Sequence, residues 1–337
     1  MRRVSWLLLV FCLLLVVRSA EAQKKEFAIK PVLHSVSYAG VWRGQTQLTL
    51  DQFLLKAKQL GFTRVMLVAK RPHLAPADYD AAARKRLRER LKELGLELVA
   101  LAGYTDYTAG VERPGIPVAE IQAAYVGELA RLARDVGAPL VRVFTGYERP
   151  GIPYDQQWAT VVNGLRLSGR EAARYGITLV VQNHHDIAVH HDSMFELLRE
   201  VNEPNVRAAF DAWSPALEGL SGPELADAVR KMAPYLAHTT VADYRKFPRF
   251  RYDPTLVNYA RQGSDLVRAV PMGTGFIDYR SFFQALRDIN YQGYVAYEMC
   301  EVLEGGGSEE NLDRTARTFL EWVEAFNRGL AVPAGRE

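Results

Sequence analysis

Four apolar segments in the second half of the chain each end in a group of polar residues. They are LVVQNHHD (179–186), VRAAFDAW (206–213), HTTVADY (238–244) and YVAYEMC (294–300). A buried parallel strand is a continuous apolar run, and a polar side chain at its buried end is costly unless it is paired or used. Carboxylates, an amide and imidazoles at four such ends could transfer protons and bind a divalent cation.

Eight strand-like runs alternate with helical periodicity from residue 29 onward. They cover residues 32–36, 64–69, 96–102, 140–145, 178–183, 206–212, 236–241 and 294–299. Gly137 follows one helical segment as a C-terminal cap, and Ser308 precedes the last one as an N-terminal cap. This pattern predicts a single (β/α)8 TIM barrel over residues 27–330, with a site at the carboxyl ends of the strands. An open doubly wound sheet is the alternative, but no GxGxxG loop follows the first strand.

Residues 1–22 have the pattern of a cleavable signal peptide. Two arginines precede an apolar run over residues 6–17, and an A-x-A site ends at Ala22. The run is shorter than the ~20 residues that a membrane helix needs. We therefore expect an exported protein, periplasmic or secreted, without stable membrane insertion after cleavage. An uncleaved anchor is the alternative, and N-terminal sequencing that found Met1 would support it.

The charge balance argues against a nucleic-acid partner. The chain has 42 basic and 39 acidic residues, and loss of residues 1–22 would leave 39 and 38. A net charge of +1 is too small to attract the negatively charged backbone of a nucleic acid. Cleavage would also leave one cysteine, Cys300, which we expect to be buried and unreactive. The oligomeric state does not follow from the sequence.

The segment VPMGTGFIDYRSFFQALRDINYQGYVAYEM (270–299) resembles a segment of the xylose isomerase-like TIM barrels. The matching features are a G-x-G-x-[IV]-D motif, an amphipathic helix, a Tyr-x-Gly turn and a strand that ends in a metal-binding glutamate. GYERPGIP, QNHHD, FDAW and SEENLDR resemble the subgroup called sugar phosphate isomerase/epimerase. The resemblance implies a barrel that acts on a small carbohydrate and holds one divalent metal ion through a Glu, an Asp, a His and a second Glu.

Two of these four metal positions match, and two depart. The Asp corresponds to Asp211 and the second Glu to Glu298, whereas the first Glu corresponds to Gln182. Thr240 occupies the histidine position, with His238 two residues earlier. The resemblance thus implies that Gln182, Asp211 and Glu298 bind one Mn²⁺, Zn²⁺ or Mg²⁺ ion. A structural hydrogen bond to neighbouring strand ends is the alternative role for Gln182.

The loss of one carboxylate limits the chemistry. Two-base epimerisation needs a titrating group on each face of the substrate, and the Gln182 amide does not titrate. We expect metal-assisted proton abstraction next to a carbonyl, followed by isomerisation or β-elimination, and a 3-keto-glycoside lyase is one form of this hypothesis. The candidate catalytic residues are Glu298, His184 and His185. The candidate substrate-binding residues are His238, Asp243, Arg245 and Lys246.

Other interpretations stay open. A non-catalytic carbohydrate-binding barrel without metal would also fit the two departures. A phosphodiesterase resembling the type-IV endonucleases is disfavoured by the near-neutral charge. Residues 104–117 and 245–273 are longer than ordinary connections, and we expect loops there that either cover the site or extend over the surface.

Overall fold

Eight parallel strands close into a barrel, as predicted. The computed structural model describes residues 27–113 and 115–333, so the predicted signal peptide lies outside the described residues. The ten strands are β1 (Lys30–His34), β2 (Arg64–Val68), β3 (Glu97–Ala102), β4 (Leu140–Val143), β5 (Thr178–Gln182), β6 (Val206–Ala209), β7 (Leu236–Val241), β8 (Asp243–Asp253), β9 (Asn258–Val270) and β10 (Tyr294–Tyr297). The barrel order is β1-β10-β7-β6-β5-β4-β3-β2, and β8 with β9 forms a separate sheet.

Helices surround the barrel. They are α1 (Leu50–Gln59), α2 (Ala81–Leu94), α3 (Val118–Val136), α4 (Tyr154–Ala173), α5 (His191–Val201), α6 (Trp213–Leu217), α7 (Gly222–Met232), α8 (Tyr279–Asp288) and α9 (Glu309–Asn327). Two predicted caps are confirmed: Gly137 ends α3 at a φ of 92°, and the Ser308 side chain accepts a hydrogen bond from the Asn311 backbone before α9. None of the helices in the described part is long and apolar enough to cross a membrane.

The core has two layers, which leave the barrel's carboxyl rim for polar groups. Side chains between the strands and the helices form the larger cluster. A smaller cluster fills the barrel itself, with Val32, Met66, Val180 and Ala296 among its members. Strand residues alternate between these layers, because successive side chains point to opposite faces.

The prediction of a loop over residues 245–273 is wrong. Most of this segment forms an antiparallel hairpin of β8 and β9, which pair from Asp243 with Val270 to Asp253 with Asn258. Arginines alternate with aromatic residues along β8, and this period of two is typical of a strand. Pro248 lies at an irregularity in the pairing, where a missing backbone donor is tolerated.

A buried aspartate fixes the loop that follows the hairpin. Asp243 is fully buried and accepts hydrogen bonds from the backbone N–H groups of Gly273 and Gly275, at 2.9 and 2.8 Å. A Cβ atom at Gly275 would lie 2.0 Å from the Asp243 Oδ1 atom and 2.3 Å from the Tyr244 carbonyl oxygen. Only glycine allows this approach.

We expect Gly275→Ala to lower the free energy of unfolding by about 3 kcal/mol, because overpacking of a rigid site is destabilising. Urea denaturation followed by circular dichroism measures the loss. Gly263→Ala is the matched control, since its Cβ would have no neighbour within 4 Å. Equal stability of the two variants would contradict the structural role of this loop.

Candidate active site

The predicted site residues Gln182, Asp211 and Glu298 meet at one end of the barrel, together with Thr240 in place of the predicted His238. Gln182 is the last residue of β5, Asp211 lies two positions beyond β6, Thr240 lies in β7 and Glu298 directly follows β10. These four strands are neighbours in the barrel. The prediction that their carboxyl ends lie together is therefore confirmed.

These ends surround a pocket of about 280 Å³. This is close to the lower limit of ~300 Å³ for small-molecule sites. Its polar lining comprises Gln182, His184, Asp211, Thr240, Glu298, Cys300 and Glu301, and its aromatic walls are Trp213 and Tyr244. The pocket thus combines aromatic walls with convergent polar groups.

The Gln182 amide is held in one orientation. Its Nε2 atom donates to the Asp211 Oδ2 atom and to the Thr240 hydroxyl, both at 2.9 Å. Its Oε1 atom is buried and accepts no hydrogen bond within the described structure. Gln182 can therefore have both of the roles predicted from the sequence. Its N–H groups form structural hydrogen bonds to neighbouring strands, and its carbonyl oxygen is free to bind a metal ion.

Both oxygens of Asp211 are already engaged. Oδ2 accepts from Gln182, and Oδ1 accepts from the backbone N–H groups of Trp213 and Ser214 at 3.0 and 3.4 Å. Burial raises the pKa of Asp211 to about 7, despite the hydrogen bonds from Gln182 and Ser214 that oppose this shift. A nearby cation would stabilise the ionised form.

Glu298 has a different environment, which favours its ionised form. Burial alone would raise the pKa of this carboxyl, but His34, Arg142 and other neighbours outweigh burial and lower it. The Glu298 Oε1 atom lies 3.9 Å from His34 Nε2 and 4.0 Å from Arg142 Nη2. The pocket therefore contains two carboxyl groups whose pKa values are displaced in opposite directions.

Arg142 is the main residue that the sequence analysis missed. Its side chain is fully buried inside the barrel, stacks on Phe144 at 4.0 Å and donates to the Gly103 carbonyl oxygen. Its Nε and Nη2 atoms have no hydrogen-bond partner in the part of the chain that the structure describes. A charged residue inside the apolar strand LVRV, at an inward position, was the available indication. His34, at the end of β1, was missed in the same way.

The candidate histidines have different positions. His184 lines the pocket, and burial lowers its pKa. His185 instead lies in an adjoining open cleft of about 660 Å³, which also contains His184 and Trp213. Its ring stacks on Tyr147, whose hydroxyl lies 3.1 Å from His185 Nε2. Burial lowers the pKa of His185 to about 4, so both imidazoles are neutral at pH 7.

The four candidate substrate-binding residues lie outside the pocket lining. His238 is fully buried below the pocket, and Asp243 binds the loop described above. Arg245 forms an ion pair with Glu304 at 2.9 Å. The Lys246 ammonium lies 4.3 Å from the centre of the Phe276 ring. These four residues therefore lie around the pocket and do not form part of its surface.

The prediction of a buried Cys300 is wrong. Its side chain is exposed at the pocket, because it follows the end of β10 where the chain leaves the barrel. The pKa of its thiol is nevertheless raised, by the surrounding protein and by the Glu298 carboxylate.

The donor groups in the pocket fit a divalent metal ion. The unpartnered Gln182 Oε1 atom, the Asp211 carboxyl and the Glu298 carboxylate all line it, and oxygen ligands suit Mg²⁺ or Mn²⁺. A second group of possible metal ligands lies outside the pocket, at the start of α5. It consists of His190, His191 and Asp192, and within residues 27–113 and 115–333 it is the one group of three His, Cys, Asp or Glu residues whose ligand atoms lie within 4.8 Å of one another. Lys231 already forms an ion pair with Asp192 there.

We expect Asp211→Asn to stabilise the metal-free protein increasingly as pH rises from 4 to 8. The unfolded chain loses this proton near pH 4, whereas the folded state holds it up to a pKa of about 7. The wild type therefore loses stability as pH rises from about 4 to 7, whereas asparagine does not titrate. The difference in unfolding free energy should approach but not exceed ~4 kcal/mol. Urea titrations with chelator at several pH values measure it, with Asp227→Asn, at an exposed position on α7, as the control. A difference that is constant with pH would contradict the shift.

Comparisons with known proteins agree with this architecture. A sequence model of the family described as xylose isomerase-like TIM barrel matches residues 54–324. Inosose dehydratase from Klebsiella pneumoniae is 27% identical over 153 residues, which are 43% of this chain and 48% of that protein. Inosose dehydratase from Clostridium perfringens is 26% identical over 145 residues, with the same coverage. The chain thus spans about half the length of the curated relatives that it matches.

Solved structures show the same fold. The probable 3-DHS dehydratase AsbF involved in petrobactin synthesis from Bacillus anthracis is 18% identical, with a TM-score of 0.65 over 87% of this chain and 99% of that one. A D-psicose 3-epimerase from Clostridium cellulolyticum is 17% identical, with a TM-score of 0.66 over 90% and 100% of the two chains. At this level of sequence identity, structural similarity establishes the barrel fold and does not establish the function. The match of the family model over most of the chain shows that this protein belongs to the xylose isomerase-like TIM barrel family.

Proposed function

We propose that this protein is an exported enzyme that removes a proton next to the carbonyl of a small keto-sugar, with Glu298 as the single base, and then eliminates a β-substituent. The single observation that carries the proposal is the contrast between two carboxyl groups of the pocket, Asp211 and Glu298. Both oxygens of Asp211 accept hydrogen bonds and burial raises its pKa to about 7, whereas Glu298 lines the pocket with a pKa lowered by its neighbours, Arg142 among them. Export is proposed from the pattern of residues 1–22.

One base is sufficient for elimination on one face of the substrate. Glu298 takes the proton from the carbon next to the carbonyl, and the electron pair of that C–H bond becomes part of an enolate. The enolate then re-forms the carbonyl, creates a carbon–carbon double bond and expels the β-oxygen. Glu298, now a carboxylic acid, returns its proton to the leaving oxygen, which departs as water or an alcohol. Two relatives whose names describe dehydratases support this reaction class.

The protein groups around Glu298 have complementary tasks. The Arg142 guanidinium holds the carboxylate ionised before the reaction, whereas burial lowers the pKa of His34 to about 3 and leaves that imidazole neutral at pH 7. Trp213 and Tyr244 provide an apolar wall for a sugar ring and limit access of water. Gln182 Oε1, Asp211 and one Glu298 oxygen would hold a divalent ion, which when bound supplies Lewis-acid polarisation of the carbonyl. His184 lies beside these groups as a neutral hydrogen-bonding partner.

A 3-keto-glycoside lyase is the form of this reaction that a second observation favours. The pocket shares His184 and Trp213 with the adjoining cleft of about 660 Å³. A sugar in the pocket would therefore place its leaving group in that cleft, which has room for an aglycone. Water elimination from a free keto-sugar would not need the second compartment.

We expect wild-type protein, incubated with 3-keto-glycosides and keto-sugars in D₂O with Mn²⁺ or Zn²⁺, to release alcohol or water and form an unsaturated ketone. Glu298→Gln should lower the rate at least ~10³-fold, because it removes the base. Nuclear magnetic resonance follows both products. Glu324→Gln, the same exchange at an exposed position on α9, is the control and should retain wild-type activity. Clean epimerisation at one carbon would contradict the single-base mechanism, and no reaction with any substrate would favour a carbohydrate-binding barrel.

Metal binding gives a separate prediction. We expect Glu298→Gln to abolish calorimetric binding of Mn²⁺, because it removes an anionic ligand. Gln182→Glu should tighten binding roughly 10-fold or more, because it adds one. Glu324→Gln again serves as the control. Unchanged affinity in both pocket variants would mean that any bound ion lies elsewhere in the protein.

A further inference from the structure

The hairpin of β8 and β9 extends from the barrel without support at its far end. Its base is buried, at Asp243, Tyr244, Ala269 and Val270, whereas most of the residues between are exposed on both strands. Among the described residues, no third strand joins this sheet. An isolated two-stranded hairpin is marginally stable in water, so its far end lacks a packing partner within the described part of this chain.

Apolar side chains cover one face and the tip of this far end. Tyr252 pairs with Tyr259 across the strands, and Phe250 lies two residues before Tyr252, on the same face. Tyr259 is 65% exposed, and Val257 at the tip is 76% exposed. A contiguous exposed patch of this kind marks an interaction surface.

The hairpin and the rest of the protein carry opposite net charges. Residues 243–270 contain six basic and three acidic residues, a net charge of +3. The remaining described residues contain 30 basic and 33 acidic residues, a net charge of −3. Arg249 and Arg251, which are two residues apart and exposed, contribute to the face opposite the aromatic residues. A second copy of this chain therefore offers a surface of complementary charge.

The acidic cleft, defined by Glu148, Asp186 and Glu218, is the complementary surface on that second copy. It is open, has a volume of about 660 Å³ and also contains the apolar residues Val189, Trp213 and Leu217. No lysine or arginine is part of its described lining. Carboxylates beside apolar walls match a hairpin whose arginines lie beside an apolar tip.

A membrane fits the hairpin less well than a protein. Within residues 27–113 and 115–333, the outer backbone groups of both strands have no strand partner at the far end, and unpaired backbone groups are costly in hydrocarbon. Another polypeptide can instead satisfy them through its own side chains and backbone.

We propose that the far end of the hairpin docks into the acidic cleft of a second copy of this chain, reciprocally, to form a twofold-symmetric dimer. In such an isologous interface the same two surfaces meet twice. Each hairpin then covers the outer part of the partner's cleft, beside the partner's pocket. This inference does not depend on the proposed reaction.

The test uses two charge-reversed variants of the full-length protein and sedimentation velocity. Wild type should be a dimer at micromolar concentration. Arg249→Glu/Arg251→Glu and Glu148→Arg/Glu218→Arg should each weaken dimerisation at least ~100-fold, because like charges then meet at both contacts. An equimolar mixture of the two variants should form a heterodimer, since both contacts are then complementary. Arg88→Glu/Lys92→Glu, on the exposed face of α2, is the control and should remain dimeric.

Several outcomes would overturn the proposal. The first is a monomeric wild type at 100 µM, and the second is a dimer that neither pair of substitutions affects. The third is a mixture of the two variants that stays monomeric, although each variant has the circular dichroism spectrum and melting temperature of wild type. Flotation of a monomeric wild type with phosphatidylglycerol vesicles, lost in Arg249→Glu/Arg251→Glu, would assign the hairpin to a membrane surface instead.

Discussion

A buried guanidinium beside a carboxylate determines how the centre of this barrel works. Arg142 has no exposed surface, and the acidic group in its neighbourhood is Glu298, 4.0 Å away. Separation of such a pair would leave a charge uncompensated in a low-dielectric interior, which costs several kcal/mol. The interaction ties β4 to the end of β10 across the barrel, and it keeps a carboxylate ionised where burial alone would protonate it.

The pKa values of Asp211 and Glu298 are displaced in opposite directions because the two carboxyl groups have different surroundings. Asp211 accepts hydrogen bonds from an amide and from backbone N–H groups, but burial outweighs them and raises its pKa to about 7. Glu298 has a guanidinium and two imidazoles nearby. Replacement of the family's first glutamate by Gln182 fits this division, because the amide can donate to Asp211 where a second carboxylate would repel it. The pocket thus has one carboxylate, Glu298, that can accept a proton, and one carboxyl group, Asp211, that hydrogen bonds hold in place.

The sequence was sufficient to predict the eight barrel strands, because each is a short apolar run with a polar end, and strand order then placed Gln182, Asp211 and Glu298 together. It was not sufficient for Arg142 and His34. An inward-facing charge in a strand can be recognised by alternation, but its partner lies on a distant part of the chain and only the closed barrel brings the two together. The β8–β9 hairpin was missed because its high arginine content resembles a surface loop, although the alternation of a strand was present.

The protonation state of the Glu298 carboxyl can be measured directly. Carbon-13 nuclear magnetic resonance of protein labelled at glutamate side chains, assigned with Glu298→Gln and recorded with chelator, reports the protonation state of this group as pH is varied. We expect Glu298 to be ionised at pH 5 in the wild type, and Arg142→Met to move its titration to higher pH. If Glu298 is protonated at pH 7 in the wild type, or titrates identically in Arg142→Met, then Arg142 does not hold this carboxylate ionised.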